Sequence, residues 1–226
     1  MIHGNIGFRF QTEIIRTDAK VIETLAKYPT PNIADAMGRF RMMDPGMTPI
    51  NQGDFVAGPA VTVMVRPGDN LMLHKALELA QPGDVLVVNT FGSTNTAVWG
   101  GLMTRSAQAV GIAGIIVDGA VRDGDDMGEL GFPAFSRSLV GSGCDKEGPG
   151  EVNFPICCGG VVVNPGDVIV ASRDGIVVVP RDDVAYVAEQ VVLVEKREAT
   201  RVQEIVDGKV FKDDINNILR AKKIIE

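Results

Sequence analysis

Apolar positions in this chain follow two periods, a short one typical of strands and a longer one typical of helices. Pro-Gly and Asp-Gly pairs mark turns between the runs. The number of valine-rich runs indicates a sizeable sheet core. They predict strands over residues 55–65, 85–89, 111–121 and 176–180, and a strand–turn–strand unit over 161–171.

Helices are predicted where a capping residue precedes a run of the longer period. The first four predicted helices run from an Asp18 cap to Lys27, from a Thr30 cap towards Gly38, from Asp69-Asn70 to about Ala80, and over residues 99–110. Periodic valines from about residue 182 to 206 predict a long amphipathic helix, and a last helix follows over 213–223.

The remaining segments are predicted to be irregular. They include a glycine- and threonine-rich stretch after Asn89, residues 141–150, and an N-terminus around His3 that we expect to be mobile. Strands that alternate with helices predict an α/β fold, and 226 residues with 45% hydrophobic content are compatible with one domain over 1–226.

Charge and composition narrow the classes of partner. The formal charge is −7 and no basic run is longer than a pair such as Lys222-Lys223, which argues against a nucleic-acid ligand. No apolar run approaches about 18 residues, and the start lacks a basic stretch followed by a hydrophobic one. A soluble, cytoplasmic protein without a membrane partner is therefore expected.

Cysteine and histidine offer little conventional chemistry. The only cysteines are Cys144, Cys157 and Cys158, which form neither a disulfide framework nor a metal knuckle, so we interpret them as packing thiols. A catalytic cysteine would need a histidine base, and the chain contains only His3 and His74. His74 falls on a predicted helix with a mixed face, where a surface position is favoured over a site.

Acidic and basic residues gather where the predicted strand 111–121 ends. Twenty residues separate Gly101 from Arg122-Asp123, and two more separate that pair from Asp126. An aspartate here can hold a hard divalent cation, and the arginine supplies a positive fork for a carboxylate or a developing oxyanion. The alternative is structural: Arg122 pairs with a nearby carboxylate, and both aspartates cap a following short helix.

The double glycine at the start of the predicted helix 99–110 is a second candidate feature. Backbone amides at a helix start attract anions, and the absence of side chains at Gly100 and Gly101 lets a carboxylate approach closely. Alternatively, the two glycines simply permit a tight turn or close packing.

Together these segments resemble RraA-like proteins over nearly the whole chain. The resemblance rests on residues 31–36, on 82–88, on the double-glycine helix start and on Val121-Arg122-Asp123. Within that family the chain is similar to the metal-dependent class II 4-hydroxy-4-methyl-2-oxoglutarate and 4-carboxy-4-hydroxy-2-oxoadipate aldolases, which also decarboxylate oxaloacetate. The resemblance implies a layered α/β/β/α swivelling-domain fold, assembled as a trimer or a pair of trimers with sites between subunits and with helices from about 182 contacting a neighbour.

The resemblance also implies roles for particular residues. Asp123 matches the ligand of a divalent cation, Mg²⁺ or Mn²⁺, and Arg122 matches the arginine that contacts the keto oxygen of a 2-keto acid substrate and stabilises an enolate. The backbone amides of Gly101, Leu102 and Met103 match a cradle for the substrate carboxylate.

Further matches lie outside this motif. Asn70 matches a pocket residue near the reacting methyl group of pyruvate. Glu198 falls where an acidic residue reaches the water shell of the metal from the adjacent subunit. A water polarised by Asp126 and Glu198 is our candidate proton shuttle, since no histidine lies beside the motif.

One departure from the family pattern affects the expected activity. Well-studied aldolases of this kind carry an aspartate at the position of Gly101, and Asp126 is expected to compensate for its absence, as in a variant subgroup with oxaloacetate decarboxylase activity. The expected function is a lyase that works through a pyruvate enolate, by retro-aldol cleavage, decarboxylation or both. The alternatives are a non-catalytic RraA-type regulator that binds a ribonuclease, which the presence of Asp123 disfavours, and a sugar-acid enzyme that reuses the site.

Overall fold

The computed structural model describes residues 1–226 except for the side chain of Asp213. Its strands are β1 Ile2–Asn5, β2 Phe8–Gln11, β3 Thr48–Pro49, β4 Val56–Val65, β5 Val85–Trp99, β6 Gly114–Val121, β7 Ala134–Leu139, β8 Gly150–Val152, β9 Ile156–Cys158, β10 Val161–Val163, β11 Val168–Ser172 and β12 Gly175–Val179. Its helices are α1 Ala19–Leu25, α2 Thr30–Ala36, α3 Leu71–Leu79, α4 Gly101–Val110, α5 Gly124–Glu129, α6 Val184–Val206, which a short 3₁₀ turn Arg181–Asp183 precedes, and α7 Asp213–Ala221.

A ten-stranded sheet organises the chain, in the order β1-β2-β8-β4-β5-β6-β7-β3, and β11 and β12 extend from β4. Strands β4, β5, β6 and β7 are parallel neighbours. The carboxyl ends of parallel strands meet at one edge of a sheet, which is where ligands commonly bind in α/β proteins. The pair β9–β10 forms a separate small sheet.

Three hydrophobic cores separate four layers. The first core lies between helices α3, α4, α5 and one face of β4–β6. The second joins the other face of these strands to β9–β12, and the third joins β11 and β12 to α1, α2 and α6. This arrangement confirms the expected α/β/β/α order.

Strand β11 shows why the sequence carries unbroken apolar runs. Val168 and Val170 face the third core, whereas Ile169 and Ala171 face the second. Successive side chains of a strand point to opposite faces, so a strand buried on both faces needs apolar residues at every position.

Three Pro-Gly-Asp turns recur along the chain, at residues 67–69, 82–84 and 165–167. In each turn the glycine has a positive φ, of 77°, 88° and 87° at Gly68, Gly83 and Gly166. The aspartate that follows each glycine is buried and accepts backbone hydrogen bonds. The repeat is therefore a turn device, in which a carboxylate satisfies amides that the bend leaves without partners.

Two irregular segments were predicted wrongly. Strand β5 continues to Trp99 through the glycine- and threonine-rich stretch, because pairing with β6 persists across register shifts at Ser93 and Ala97. The N-terminus forms the hairpin β1–β2, and His3 stacks on Phe10 with ring centroids 4.8 Å apart.

Of two predicted helix caps, one is confirmed and one is wrong. Asp18 caps α1 by accepting a 2.8 Å bond from the Lys20 amide, as expected. Helix α2 is instead capped at Pro29, and the hydroxyl of Thr30 lies 2.9 Å from Ser172 Oγ. Among the residues described, none of the helices combines the length and the apolar character that a membrane crossing would require.

A candidate active site at the start of helix α4

The end of β6 places Arg122 and Asp123 at the sheet edge. All eight residues of β6 are buried, and the Arg122 amide donates to the Trp99 carbonyl at 3.0 Å before the chain leaves the sheet. Asp123 then adopts left-handed backbone angles, φ 58° and ψ 44°. Residues other than glycine are uncommon there, although aspartate is among the more tolerant. This bend directs the carboxylate towards α4.

The Asp123 carboxylate lies over the double glycine. Its Oδ2 accepts a 2.9 Å hydrogen bond from the Gly101 amide. A Cβ on Gly100 would lie 2.6 Å from the same oxygen, so only glycine allows this approach. Asp123 does occupy the N-cap position of α5, but its side chain makes no capping bond there, contrary to the structural alternative.

The second acidic residue, Asp126, lies against the next glycine. A Cβ on Gly101 would be 2.6 Å from Asp126 Oδ2. The Asp126 carboxylate therefore fills space that a side chain at position 101 would need. This is the geometry expected if Asp126 compensates for an aspartate missing at 101.

Helix α4 leaves donors at its N-terminus. The Gly101 amide is already taken by Asp123, whereas no described group accepts from the amides of Leu102 and Met103. First-turn amides have no partner within their own helix, and they favour anions. Two of the three amides of the expected carboxylate cradle are thus available.

Arg122 keeps most of its hydrogen-bonding capacity. Its Nε lies 3.5 Å from Asp123 Oδ2, and the two side chains are 44% and 42% exposed. A pair of this exposure contributes little to stability, so the expected alternative of a purely structural ion pair is weakly supported. The backbone of Gly143 lies close to the guanidinium, since a Cβ there would be 2.8 Å from Nη1.

Asn70 precedes α3 and has a buried side chain, 5% exposed. Its Nδ2 donates to the Val98 carbonyl at 3.1 Å and lies 3.3 Å from Met103 Sδ. Its Oδ1 has no partner among the described atoms. A buried acceptor of this kind costs free energy unless a ligand or water donates to it.

These residues share a pocket of about 230 Å³, which Asn70, Met103, Arg122 and Asp123 help to line. A more open depression of about 520 Å³ lies on the other side of the Arg122-Asp123 turn and includes Asp126. The two cavities meet at the Arg122-Asp123 pair, which is therefore accessible from both.

Three further residues with ionisable side chains line the smaller pocket: His74, Cys144 and Lys146. His74 is exposed, as predicted, and also lines the pocket. Cys144, which was interpreted as a packing thiol, is only partly buried. Lys146 lies in the predicted loop 141–150, where no sequence pattern marked it. Burial lowers the pKa of His74 below its usual value, and the charge of Lys146 lowers it further. Burial raises the pKa of Cys144, so that thiol stays protonated at neutral pH.

Glu198 does not line this pocket within one chain. It lies on α6, and its Oε2 accepts a 2.6 Å hydrogen bond from Asn32 Nδ2. Its expected contact with the site of a neighbouring subunit remains a prediction.

The donors fit a hard cation that keeps much of its water. Within the described residues, no group of three histidine, cysteine or acidic side chains forms a protein-only metal cage. Mg²⁺ is commonly held by one or two carboxylates together with waters and substrate oxygens. Asp123 meets that need, because it is half-exposed and its Oδ1 accepts no bond from a described residue.

Comparison with known proteins places this geometry in context. The model of the RraA-like family, described as Aldolase/RraA, matches residues 30–178. A relative from Halalkalibacterium halodurans, named "Putative 4-hydroxy-4-methyl-2-oxoglutarate aldolase", is 38% identical over 180 residues, which cover 80% of this chain and 86% of that protein.

Two solved structures share the fold. Streptomyces coelicolor RraAS2, described as an unusual member of the RNase ES inhibitor RraA protein family, has a TM-score of 0.75 at 31% identity and covers 84% of this chain and 98% of its own. The RNA-processing inhibitor RraA from Thermus thermophilis has a TM-score of 0.63 at 31% identity, with 68% of this chain and 93% of that chain covered.

Proposed function

Because the chain belongs to the Aldolase/RraA family, we propose that it is a divalent-metal-dependent lyase acting on 2-keto acids. It cleaves 4-hydroxy-2-keto diacids to pyruvate and a second keto product, decarboxylates oxaloacetate, or does both. The observation that carries the proposal is the placement of Asp123, whose carboxylate has one oxygen without a partner, beside Arg122 and the donor end of α4.

The protein groups divide the work of holding the substrate. The amides of Leu102 and Met103 bind the carboxylate next to the keto group. Arg122 donates to the keto oxygen and stabilises the negative charge that develops there as a carbon–carbon bond breaks. Asn70 offers its unpaired Oδ1 to a donor near the carbon that becomes the methyl group of pyruvate.

Asp123 and Asp126 hold the cation and its water. When bound, a divalent cation supplies Lewis acidity at the keto oxygen and lowers the pKa of its water. Asp126 lies against Gly101, where it can polarise a water close to Asp123. Such a water, and not a histidine, is the proton carrier in this proposal.

The shared intermediate explains why two activities are proposed. Retro-aldol cleavage and decarboxylation both leave an enolate of pyruvate, whose oxygen Arg122 stabilises. The aldol reaction also needs a base for the C4 hydroxyl proton, whereas loss of CO₂ does not. The rate of retro-aldol cleavage relative to decarboxylation therefore depends on the water near Asp126.

We further propose that residues 1–226 form one domain and that the chain assembles as a homotrimer or a pair of trimers. Apolar side chains are exposed on the C-terminal helices and between them, among them Val202, Val206, Phe211, Ile215 and Ile218. Exposed apolar patches of this kind favour contact with another subunit. Such contact would bring the α6 of a neighbour, with its Glu198, towards the site.

A second candidate function is a regulator that binds a ribonuclease. It is favoured by the likeness to RraAS2 and to the RNA-processing inhibitor. The two candidates differ in what Asp123 does, since a regulator has no need of a carboxylate with a free oxygen in a pocket.

Pyruvate release separates the candidates. Oxaloacetate and 4-hydroxy-4-methyl-2-oxoglutarate are each assayed with Mg²⁺, with Mn²⁺ and with chelator. The lyase proposal predicts pyruvate formation that needs a cation. An inert protein that instead inhibits a ribonuclease would establish the regulator.

A further inference from the structure

The guanidinium of Arg122 is held in place by the shape of its surroundings and not by hydrogen bonds. Among the described residues none accepts a hydrogen bond from it, and its ion pair with Asp123 spans 3.5 Å from Nε to Oδ2. A long side chain without fixed bonds samples several rotamers unless neighbouring atoms exclude them. The contacts that exclude them therefore decide where the positive charge lies.

Two glycines from separate segments contact the two halves of the Arg122 side chain. A Cβ on Gly100, just before α4, would lie 2.9 Å from Cγ and 3.1 Å from Nε. A Cβ on Gly143, in the loop after β7, would lie 2.8 Å from Nη1. Unstrained contacts between heavy atoms of this kind are about 3.5–4.0 Å. Arg122 therefore fills space that only glycine leaves open at both positions.

The loop that carries Gly143 is fixed on both sides of that residue. Directly before it, the Ser142 carbonyl accepts from the Ala97 amide at 2.9 Å. Two residues after it, the Asp145 amide donates to the Gly68 carbonyl at 2.8 Å. These bonds tie the loop to β5 and to the turn before α3, and moving the loop would break them. If the space between Gly143 and the guanidinium were filled, the flexible side chain would have to move.

The place of the guanidinium matters for the proposed chemistry. Donors that stabilise a developing oxyanion act at about 2.7–3.1 Å and must be held there before the reaction begins. A misplacement of roughly 1 Å can cost about 100-fold in rate. Arg122 borders both cavities, so a displaced guanidinium has room to leave the smaller pocket.

We propose that Gly143 is a positioning residue for Arg122. Its missing side chain lets the guanidinium lie against the fixed loop, at the place from which it donates to the keto oxygen. The inference rests on the proposed function, because that oxygen belongs to the proposed 2-keto acid. Gly143 acts only through Arg122 and makes no contact with the substrate itself.

Gly143→Ala and Gly141→Ala form a matched pair of variants. Both glycines are exposed loop residues whose φ lies outside the left-handed region, so alanine adds a methyl group without backbone strain. A Cβ on Gly141 would meet no heavy atom within 4 Å. Crystal structures should show Nη1 of Arg122 displaced by roughly 1 Å in Gly143→Ala and unmoved in Gly141→Ala. Thermal unfolding of both variants should match that of the native chain.

Kinetics and binding connect this displacement to function. In Gly143→Ala, kcat/KM for the lyase substrates should fall about 10- to 100-fold. Calorimetry in Mg²⁺ buffer should show a Kd for pyruvate about tenfold higher, as expected when a hydrogen bond from a charged group is weakened. Gly141→Ala should keep the native values. In an Arg122→Lys background the change at 143 should cost little, because lysine has no atom at the place of Nη1.

An unmoved guanidinium in Gly143→Ala, or an equal loss from this change in the native and Arg122→Lys backgrounds, would overturn the inference. The proposed function fails in a different way. If the native chain releases pyruvate from none of its proposed substrates, while the guanidinium moves and pyruvate affinity falls in Gly143→Ala alone, Gly143 positions Arg122 and the lyase proposal is wrong.

Discussion

Asp118 and Asp123 lie five residues apart along the chain, and each has an arginine neighbour, but the two carboxylates differ in how many of their oxygens are already hydrogen-bonded. The side chain of Asp118, on β6, is 9% exposed; one of its oxygens accepts from Arg137 Nε and the other from the Gly159 amide at 2.7 Å. Asp123, just past the end of the same strand, uses one oxygen and is 42% exposed.

The contrast shows how one residue type serves two purposes. A buried carboxylate must have hydrogen-bond partners for both of its oxygens. For Asp118 one partner is Arg137, and this hydrogen bond raises the pKa of Arg137 above its usual value. A carboxylate that faces a cavity loses less of its hydration on folding, and its unpaired oxygen can bind a ligand. On this comparison Asp118 has a structural role, whereas Asp123 has the free oxygen that the proposed cation ligand needs.

The largest expected effect comes from Asp123→Asn. The amide side chain preserves size and can still accept from Gly101, but it loses the charge that holds a cation. Turnover of the lyase substrates should fall by on the order of 10³-fold, with little change in thermal unfolding. Asp125→Asn, two residues on and exposed, is the control and should keep nearly full activity. If Asp123→Asn were as active as the native protein, the Asp123 carboxylate would not be the cation ligand, and it would not differ in role from that of Asp118.

Asp118→Asn should affect stability and not chemistry. It leaves the Arg137 guanidinium largely unpaired, and the free energy of unfolding should drop by roughly 3 kcal/mol, the lower end for a broken buried pair because Arg137 is 24% exposed. Denaturant titration measures the change. Asp44→Asn removes the outer, 3.5 Å partner of the same arginine and should cost no more than about 1 kcal/mol. The assignment fails if both variants unfold alike.

Gly101→Ala tests whether turnover depends on the position of the Asp126 carboxylate against helix α4. The new Cβ would lie 2.6 Å from Asp126 Oδ2 and displace that carboxylate, whereas alanine itself favours a helix by about 0.5–1 kcal/mol over glycine. Stability should therefore be nearly unchanged while turnover falls about tenfold. In an Asp126→Ala background the same change at 101 should cost little, because the displaced group is absent. Additive losses in the two variants would show that Asp126 does not act through this contact.

The smallest expected effect concerns His74 and pH. Its pKa is lowered in the folded protein, so the unfolded chain binds the proton more readily. The stability associated with neutral His74 is present above the unfolded pKa of about 6.5 and is lost as pH falls below it. Chemical unfolding of native protein and His74→Gln between pH 7.5 and pH 5 compares the slopes. The variant should lose less stability; parallel curves would contradict the lowered pKa.

Sequence reasoning predicted the fold where local patterns and burial agree. Continuous apolar residues at 168–171 and 176–179 follow from strands buried on both faces. It failed at residues 90–98, whose polar composition resembles a loop, because pairing with β6 and not local propensity keeps them in β5.

The candidate site was predicted in part for a similar reason. Arg122, Asp123 and Gly101 carry a spacing that can be read from the chain, and the structure brings them into contact. Lys146 and Cys144 come from a loop that Asp69 holds in place by accepting hydrogen bonds from the amides of Glu147 and Gly148. Asp69 lies more than seventy residues earlier in the chain. No local pattern encodes a pocket formed by such distant bonds.

The most direct test of metal-supported enolate chemistry at Asp123 is exchange of the pyruvate methyl protons in D₂O, followed by NMR. Exchange should occur with Mg²⁺, should be lost with chelator, and should be lost in Asp123→Asn even with Mg²⁺ present. Absence of exchange in the native protein with Mg²⁺, or undiminished exchange in Asp123→Asn, would contradict this chemistry.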